Sequence, residues 1–413
     1  MKEWGITTKA IHTGLNLEAG SSTVPIYQTA AYAYDDAETL ANVFEGKDFG
    51  YIYSRISNPT VTSFEQKINA LENGVGAIAT SSGMSAISSV IFSLTKTGDE
   101  IISSKSLFGG TYEFFNKVLK KYGVKIKYVD TCDVSAYRKA LTDKTKLIFL
   151  ESIGNPGLDV PDIKKISDIA NENNIPLVLD STFTPPYLFS AKEYGVSIVI
   201  HSATKYLTGN GTTIGGVIVD TGNFNWKEYK SDEFLAESKK IHRRFIFLAL
   251  TRRIIHQNVG VCMSPFNAFM HNLGLETLAL RMKRHCENAL KLAEFFNDYS
   301  KIKTINYLGL KDNKYHLIAE KLFNGKYSGM ITIELESKEK CYELINELKL
   351  VKNMTNLGDA KTLIIHPAST IYHEFSKDEL EEAGVNDRLI RISVGIEDIE
   401  DIIEDFRQAL EKI

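Results

Sequence analysis

Two neighbouring stretches decide the fold: IPLVLDSTFTPPYL (175–188) and VSIVIHSATKYLTG (196–209). Each is a short aliphatic run that stops abruptly at a polar turn. PLVLD (176–180) ends in Asp180, followed by Ser181 and Thr182, and SIVIH (197–201) runs into Ser202, Ala203, Thr204 and Lys205. Short apolar runs without polar alternation read as strands buried on both faces. Working outward, the same signature recurs in KLIFLE (146–151), GGVIVD (215–220), GAIAT (76–80), EIIS (100–103) and KIKYV (125–129). Helical spacing fills the gaps at 62–72, Gly83–Leu94, Gly110–Lys121 and 162–173. Strands alternating with helices predict an α/β fold with a mostly parallel sheet covered by helices on both faces. In such sheets ligands bind at the carboxyl ends of the strands, so the residues just after each strand are the ones to inspect.

Three of those ends carry chemistry. GAIAT runs into Ser81, Ser82, Gly83 and Met84 and then a helix. A small-residue turn at a helix N-terminus offers free N–H groups and the positive dipole end to an anion, although Ser and Gly also cap helices for purely local reasons. Asp180 closes a buried strand, where a carboxylate costs free energy unless it is paired. Its partner is a local cation or turn, or else a protonated pyridine nitrogen. Lys205 also ends a core strand; condensation with an aldehyde removes its charge, and snorkelling to solvent is the bland alternative. Taken together, an anion site, an acidic partner for a ring nitrogen and an amine for an aldehyde are the three contacts that pyridoxal phosphate requires.

The rest of the chain frames this centre. Residues 1–60 hold turn formers and no clear periodicity, and are read as an arm. Residues 61–263 form a cofactor-binding domain. Residues 264–413 form a smaller α/β domain, with one long helix (265–296), strands MITIELE (330–336) and TLIIH (362–366), and a last helix at 398–413. The segment from Phe224 to Gly260, polar and basic over KEYKSDEFLAESKKIHRRF (227–245) and then mixed helical, reads as a solvated excursion off the sheet.

The 413 residues are 43% hydrophobic and 24% charged, as in ordinary globular proteins. A net charge of −4 offers no global positive field for nucleic acid or an anionic membrane. No apolar run approaches the roughly 18 residues of a membrane helix, and the start lacks a secretory pattern. Cys132, Cys262, Cys286 and Cys341 are scattered with no CxxC pair, which favours a reducing cytoplasm and argues against a metal site.

With YSRISNPT (53–60), SSGMSAI (81–87), VLDSTFTPPYL (178–188), HSATKYLTGNGTTIGG (201–216) and RLIRISVGIED (388–398) in place, the chain resembles the cystathionine γ-synthase-like, Cys/Met-metabolism family of fold-type I pyridoxal-phosphate enzymes over essentially its whole length. The resemblance implies that Lys205 carries the cofactor and Asp180 meets its ring nitrogen. It implies that Ser82, Gly83, Met84, Ser202 and Thr204 surround the phosphate, with Thr182 and Phe108 also at the cofactor. Tyr53 and Arg55 would reach the phosphate of a neighbouring subunit, so that the arm crosses a dimer and dimers assemble into a homotetramer. Arg391 would anchor the substrate carboxylate, with Asn155, Asn356 and Glu151 nearby.

Two departures stand out. Phe108 replaces a common tyrosine, which leaves Tyr53 and Lys205 as the alternative proton donors, and Asn210 stands where histidine is usual. Within the family, GNGTTIGGVIVDTGNFNW (209–226), SPFNAFMHNLGLETLALRMKRH (264–285) and NLGDAKTLIIHPAST (356–370) are most similar to the O-acetylhomoserine sulfhydrylase branch. That branch implies γ-replacement on an O-acylated homoserine with sulfide, a thiol or a sulfur-carrier protein as donor. The rivals are a lyase of the methionine γ-lyase type and a non-catalytic cofactor-binding module.

Overall fold

A computed structural model describes residues 3–15, 20–229, 231 and 245–413. Residues 230 and 232–244 of the Phe224–Gly260 excursion therefore lie outside the described residues. Its start does not fit the solvated reading: Phe224, Trp226 and Tyr229 are buried and pack edge-to-face on one another. Trp226 also stacks on Phe247 and donates its indole N–H to Asp220 at 2.7 Å. Interleaved aromatics gave the segment its hold on the core, while its charges gave it a polar average.

Seven strands form the main sheet: β1 (Gly76–Thr80), β2 (Glu100–Ser104), β3 (Lys125–Val129), β4 (Thr145–Glu151), β5 (Leu177–Asp180), β6 (Ile198–His201) and β7 (Gly216–Asp220), in the order β1-β7-β6-β5-β4-β2-β3. β2 to β6 pair in parallel, whereas β7 is antiparallel to both β6 and β1. β1 therefore points the same way as β6. Thr80, Glu151, Asp180 and His201 all end at one edge.

The arm is less irregular than its composition suggests. It holds α1 (Ile6–His12) and α2 (Ala37–Glu45), the latter capped by the Asp36 side chain. α3 (Pro59–Leu71) starts at Asn58, whose side chain accepts from Thr60 and Val61, with proline at its first position. α4 (Gly83–Leu94) follows β1 directly. The stretch expected as one helix from Gly110 to Lys121 is instead α5 (Gly109–Glu113) followed by wider and tighter turns at Phe114–Val118 and Leu119–Tyr122. α6 (Val134–Ala140) and α7 (Ile163–Glu172) complete the covering layers, each capped by an aspartate.

A second, five-stranded sheet has β8 (Thr304–Asn306), β9 (Met330–Glu334), β10 (Lys352–Asn353), β11 (Leu363–Ile365) and β12 (Leu389–Ser393) in the order β10-β11-β12-β9-β8. The helix expected from 265 to 296 is two helices, Pro265–Glu276 and Leu278–Asn297, because Thr277 leaves the helical region at ψ 6°. One continuous apolar cluster links both sheets through Tyr206, Leu275, Met282, Ile331 and Val394. No helix among the described residues is long and apolar enough to cross a membrane.

Candidate active site

A cavity of about 550 Å³ opens at the strand-end edge of the main sheet. Ser82, Gly83, Met84, Phe108, Glu151, Asn155, Asp180, Thr182, Ser202, Thr204, Lys205 and Arg391 all line it. Asn356 joins from beside the lining residues Thr355 and Leu357, accepting a hydrogen bond from Lys205 Nζ at 2.7 Å. Thirteen of the fifteen site residues read from the sequence thus converge.

Tyr53 and Arg55 are the two that do not. Tyr53 is half-exposed, the Arg55 guanidinium lies 5.5 Å from its ring centre, and Arg55 donates to the carbonyl of Gln257. Sequence reasoning missed part of the apolar wall, including Ile153, Phe183, Leu357 and Ile371. Isolated aliphatic residues carry no local mark that separates a cavity wall from core.

The anion end is built by two elements. Ser82 caps α4, accepting from Ser85 N at 3.1 Å, while Ser85 Oγ accepts from Ser82 N at 2.8 Å. This reciprocal box leaves the Gly83 and Met84 N–H groups as first-turn donors aimed at the cavity. Glycine is required at 83 by close approach: a Cβ there would stand 2.7 Å from Ser202 Cβ. The serine turn after β6 and the N-terminus of α4 therefore close on each other as a narrow cradle. Ser202 N donates to Thr182 Oγ1 at 2.9 Å, which in turn donates to Asp180 Oδ1 at 2.6 Å, tying the ends of β6 and β5 together.

The two carboxyls have opposite characters. Asp180 accepts from Thr182 N and Oγ1 and feels the neighbouring His201; these oppose the burial that raises its pKa. Glu151, on the adjacent strand in register with Asp180, accepts from Phe108 N at 2.7 Å. Burial first, and then the charge of Asp180, push Glu151 well above the usual carboxylate range. Two neighbouring like charges repel, so a proton held by the pair sits on Glu151, the more buried and less hydrogen-bonded of the two, in preference to Asp180.

Lys205 sits in the turn after β6. Burial, and then the positive charge of Arg391, lower its pKa from 10.5 to about 8. The turn is braced from behind by Arg281, which donates to the carbonyl oxygens of Tyr206 at 2.7 Å and Gly274 at 2.6 Å. Arg391, on the central strand β12, is buried; Nη1 donates to Asn155 Oδ1 at 3.1 Å, and burial lowers its pKa to about 10. A buried guanidinium with no carboxylate partner among the described residues is a natural receptor for one.

The residues present fit pyridoxal phosphate. There is a donor-rich cradle that a single Cβ would fill, a half-buried carboxylate at the cavity wall with no lysine or arginine partner among the described residues, and an amine with lowered basicity.

Comparison with known proteins agrees. The model of the Cys/Met-metabolism PLP-dependent enzyme family matches residues 7–411. O-acetyl-L-homoserine sulfhydrylase of Leptospira meyeri is 39% identical, covering 98% of this chain and 96% of that protein. L-methionine gamma-lyase of Fusobacterium nucleatum is 39% identical over the full length of both. A crystal structure from Campylobacter jejuni, assigned as an O-acetylhomoserine (thiol)-lyase with a pyridoxyl-lysine monophosphate at its position 205, superposes with a TM-score of 0.94 at 33% identity, covering 99% of this chain and 100% of that one. The chain belongs to the Cys/Met-metabolism family of pyridoxal-phosphate-dependent enzymes.

Proposed function

We propose that this enzyme replaces the γ-substituent of an O-acylated homoserine, O-acetyl-L-homoserine first, with sulfide or a thiol, giving homocysteine and the free acid. The observation that carries the reading is a single cavity holding both a low-basicity lysine, Lys205, and a buried guanidinium, Arg391, with no carboxylate partner among the described residues. The sulfhydrylase relatives supply the reaction class.

When bound, pyridoxal phosphate supplies an aldehyde that captures amines and a ring that accepts electron density from carbon. Lys205 Nζ would hold it. Asp180 would pair with the ring nitrogen, while Ser82, Gly83, Met84, Ser202 and Thr204 would receive the phosphate. Phe108 would face the ring, and Thr182 orients Asp180. Arg391 clamps the substrate α-carboxylate, and Asn155 fixes the guanidinium through Oδ1. Lys205, whose free Nζ donates to Asn356 Oδ1, would be the general base that takes protons from the substrate α- and β-carbons. Glu151 stays neutral beside Asp180.

Tyr53 and Arg55 serve the site of a neighbouring subunit, in a homotetramer built from dimers, each chain having arm 1–60, cofactor domain 61–263 and C-terminal domain 264–413. Their exposure, away from the chain's own cavity, supports this. We place the enzyme in the cytoplasm, with a sulfur-carrier protein as an alternative donor.

The identity to L-methionine gamma-lyase favours one rival, cleavage of methionine or homocysteine to a 2-oxo acid and ammonia. A product assay with O-acetyl-, O-succinyl- and O-phosphohomoserine, each with sulfide, separates them. Homocysteine as main product is expected; dominant 2-oxobutyrate sinks the proposal. Lys205→Ala should lose both the visible absorption and turnover.

A further inference from the structure

Behind the turn that carries Asp180 lies a buried pair that the reaction as described does not use. His201, the last residue of β6, puts Nε2 2.6 Å from Glu72 Oε1 and Nδ1 3.1 Å from the Ser181 carbonyl oxygen. Both side chains are 1% exposed. A carbonyl only accepts, so Nδ1 carries a hydrogen and the ring donates to Ser181. Nε2 then shares one proton with Glu72. Held on the nitrogen, it makes an imidazolium between a carboxylate and the Asp180 turn.

Glu72 caps the end of α3, far from β6 in sequence. Its other oxygen, Oε2, is buried with no hydrogen-bond partner among the described residues. Burying an ion pair with one oxygen left bare costs free energy that an apolar pair would not, so the arrangement is poorly explained by stability alone. Its position explains it better. His201 is followed at once by Ser202, and Ser181 by Thr182, the two residues that tie β6 to the Asp180 carboxylate. The charge on His201 also opposes the burial that would protonate Asp180.

We propose that Glu72 and His201 are a positioning pair for Asp180, fixing the Ser181 carbonyl and supplying the positive charge that keeps Asp180 an anion for the cofactor's ring nitrogen. This rests on the role assigned to Asp180 above. Charges alternate from Glu72 through His201 to Asp180, so neutralising the first releases the second.

Glu72→Gln tests it, because the amide preserves the shape and one hydrogen bond while removing the charge. Full-length protein stripped of cofactor is titrated with pyridoxal phosphate, and its thermal midpoint is measured separately. The dissociation constant should rise about tenfold, the equivalent of roughly one unit of proton affinity at the ring site. The melting point of the stripped protein should stay within a few degrees, and Glu72→Asp should recover most of the affinity. In an Asp180→Ala background, Glu72→Gln should have no further effect, since the pair acts through Asp180.

Unchanged affinity with a lowered melting point would make the pair purely structural and overturn the proposal. An undiminished effect in the Asp180→Ala background overturns it too. If Asp180→Ala alone leaves the affinity untouched, the role of Asp180 itself falls, and this proposal with it. His201→Gln, which keeps a donor but no charge, should match Glu72→Gln; a variant as tight as the parent refutes the electrostatic part.

Discussion

The free amine of Lys205 should titrate near pH 8 in the cofactor-free protein. An aldehyde reacts with the neutral amine, so the rate at which added pyridoxal phosphate produces visible absorption follows the neutral fraction. Burial and the Arg391 charge bring the group from 10.5 to about 8. At pH 7.5 roughly a quarter of such amines are neutral, against about one in a thousand for an ordinary lysine, an advantage of about 200-fold. A stopped-flow series from pH 6 to 10 should give a rate that rises and levels off around a midpoint near 8. Arg391→Gln removes the second cause and leaves the first, so the midpoint should move up while staying well below 10.5. Between pH 8 and 10.5 the unfolded chain binds the proton that the folded site has lost. Lys205 therefore adds stability as pH rises through that window. A midpoint at 10 or above in the parent protein, or a downward move in Arg391→Gln, would refute the argument.

Arg391→Ala should raise KM for the amino-acid substrate about 10²-fold, the loss of roughly 3 kcal/mol of charge-assisted contact, with kcat far less affected. Steady-state kinetics showing the reverse split would remove it as the carboxylate anchor. Glu151→Gln should change the melting point at pH 5 by less than about 3 °C. The folded protein keeps the Glu151 proton above the pH at which the unfolded chain loses it, so this site costs the parent stability as pH rises from about 4.5. The variant should therefore gain on the parent between pH 5 and 8; a growing deficit would show that Glu151 is ionised. Gly83→Ala should destabilise by about 1–3 kcal/mol and weaken cofactor binding, because the new methyl meets Ser202 Cβ at 2.7 Å. Denaturant titration and cofactor titration check the two effects, and an unchanged affinity would mean that the cradle does not hold the phosphate.

What the sequence determined by itself was local. Apolar runs that stop at Thr80, Glu151, Asp180 and His201 mark strand ends, and one hand of chain crossing brings strand ends to one edge. That was enough to find Lys205, Asp180 and the α4 turn before any contact was known. The capping box at Ser82 is equally local, because its partner is three residues away.

What only tertiary structure decided was every pairing across long sequence distances. Lys205 meets Asn356 across 151 residues, Arg391 meets Asn155 across 236, and His201 meets Glu72 across 129. The antiparallel β7, the break at Thr277 and the buried Trp226 cluster were misread or unread for the same reason. Strand periodicity is blind to direction, one non-helical ψ leaves no mark in composition, and a polar average hides three aromatics. Backbone preferences act over a few residues, whereas side-chain approach depends on how whole layers pack. The chain thus spelled out which groups stand at the edge of the sheet, and packing determined which of them hold a proton.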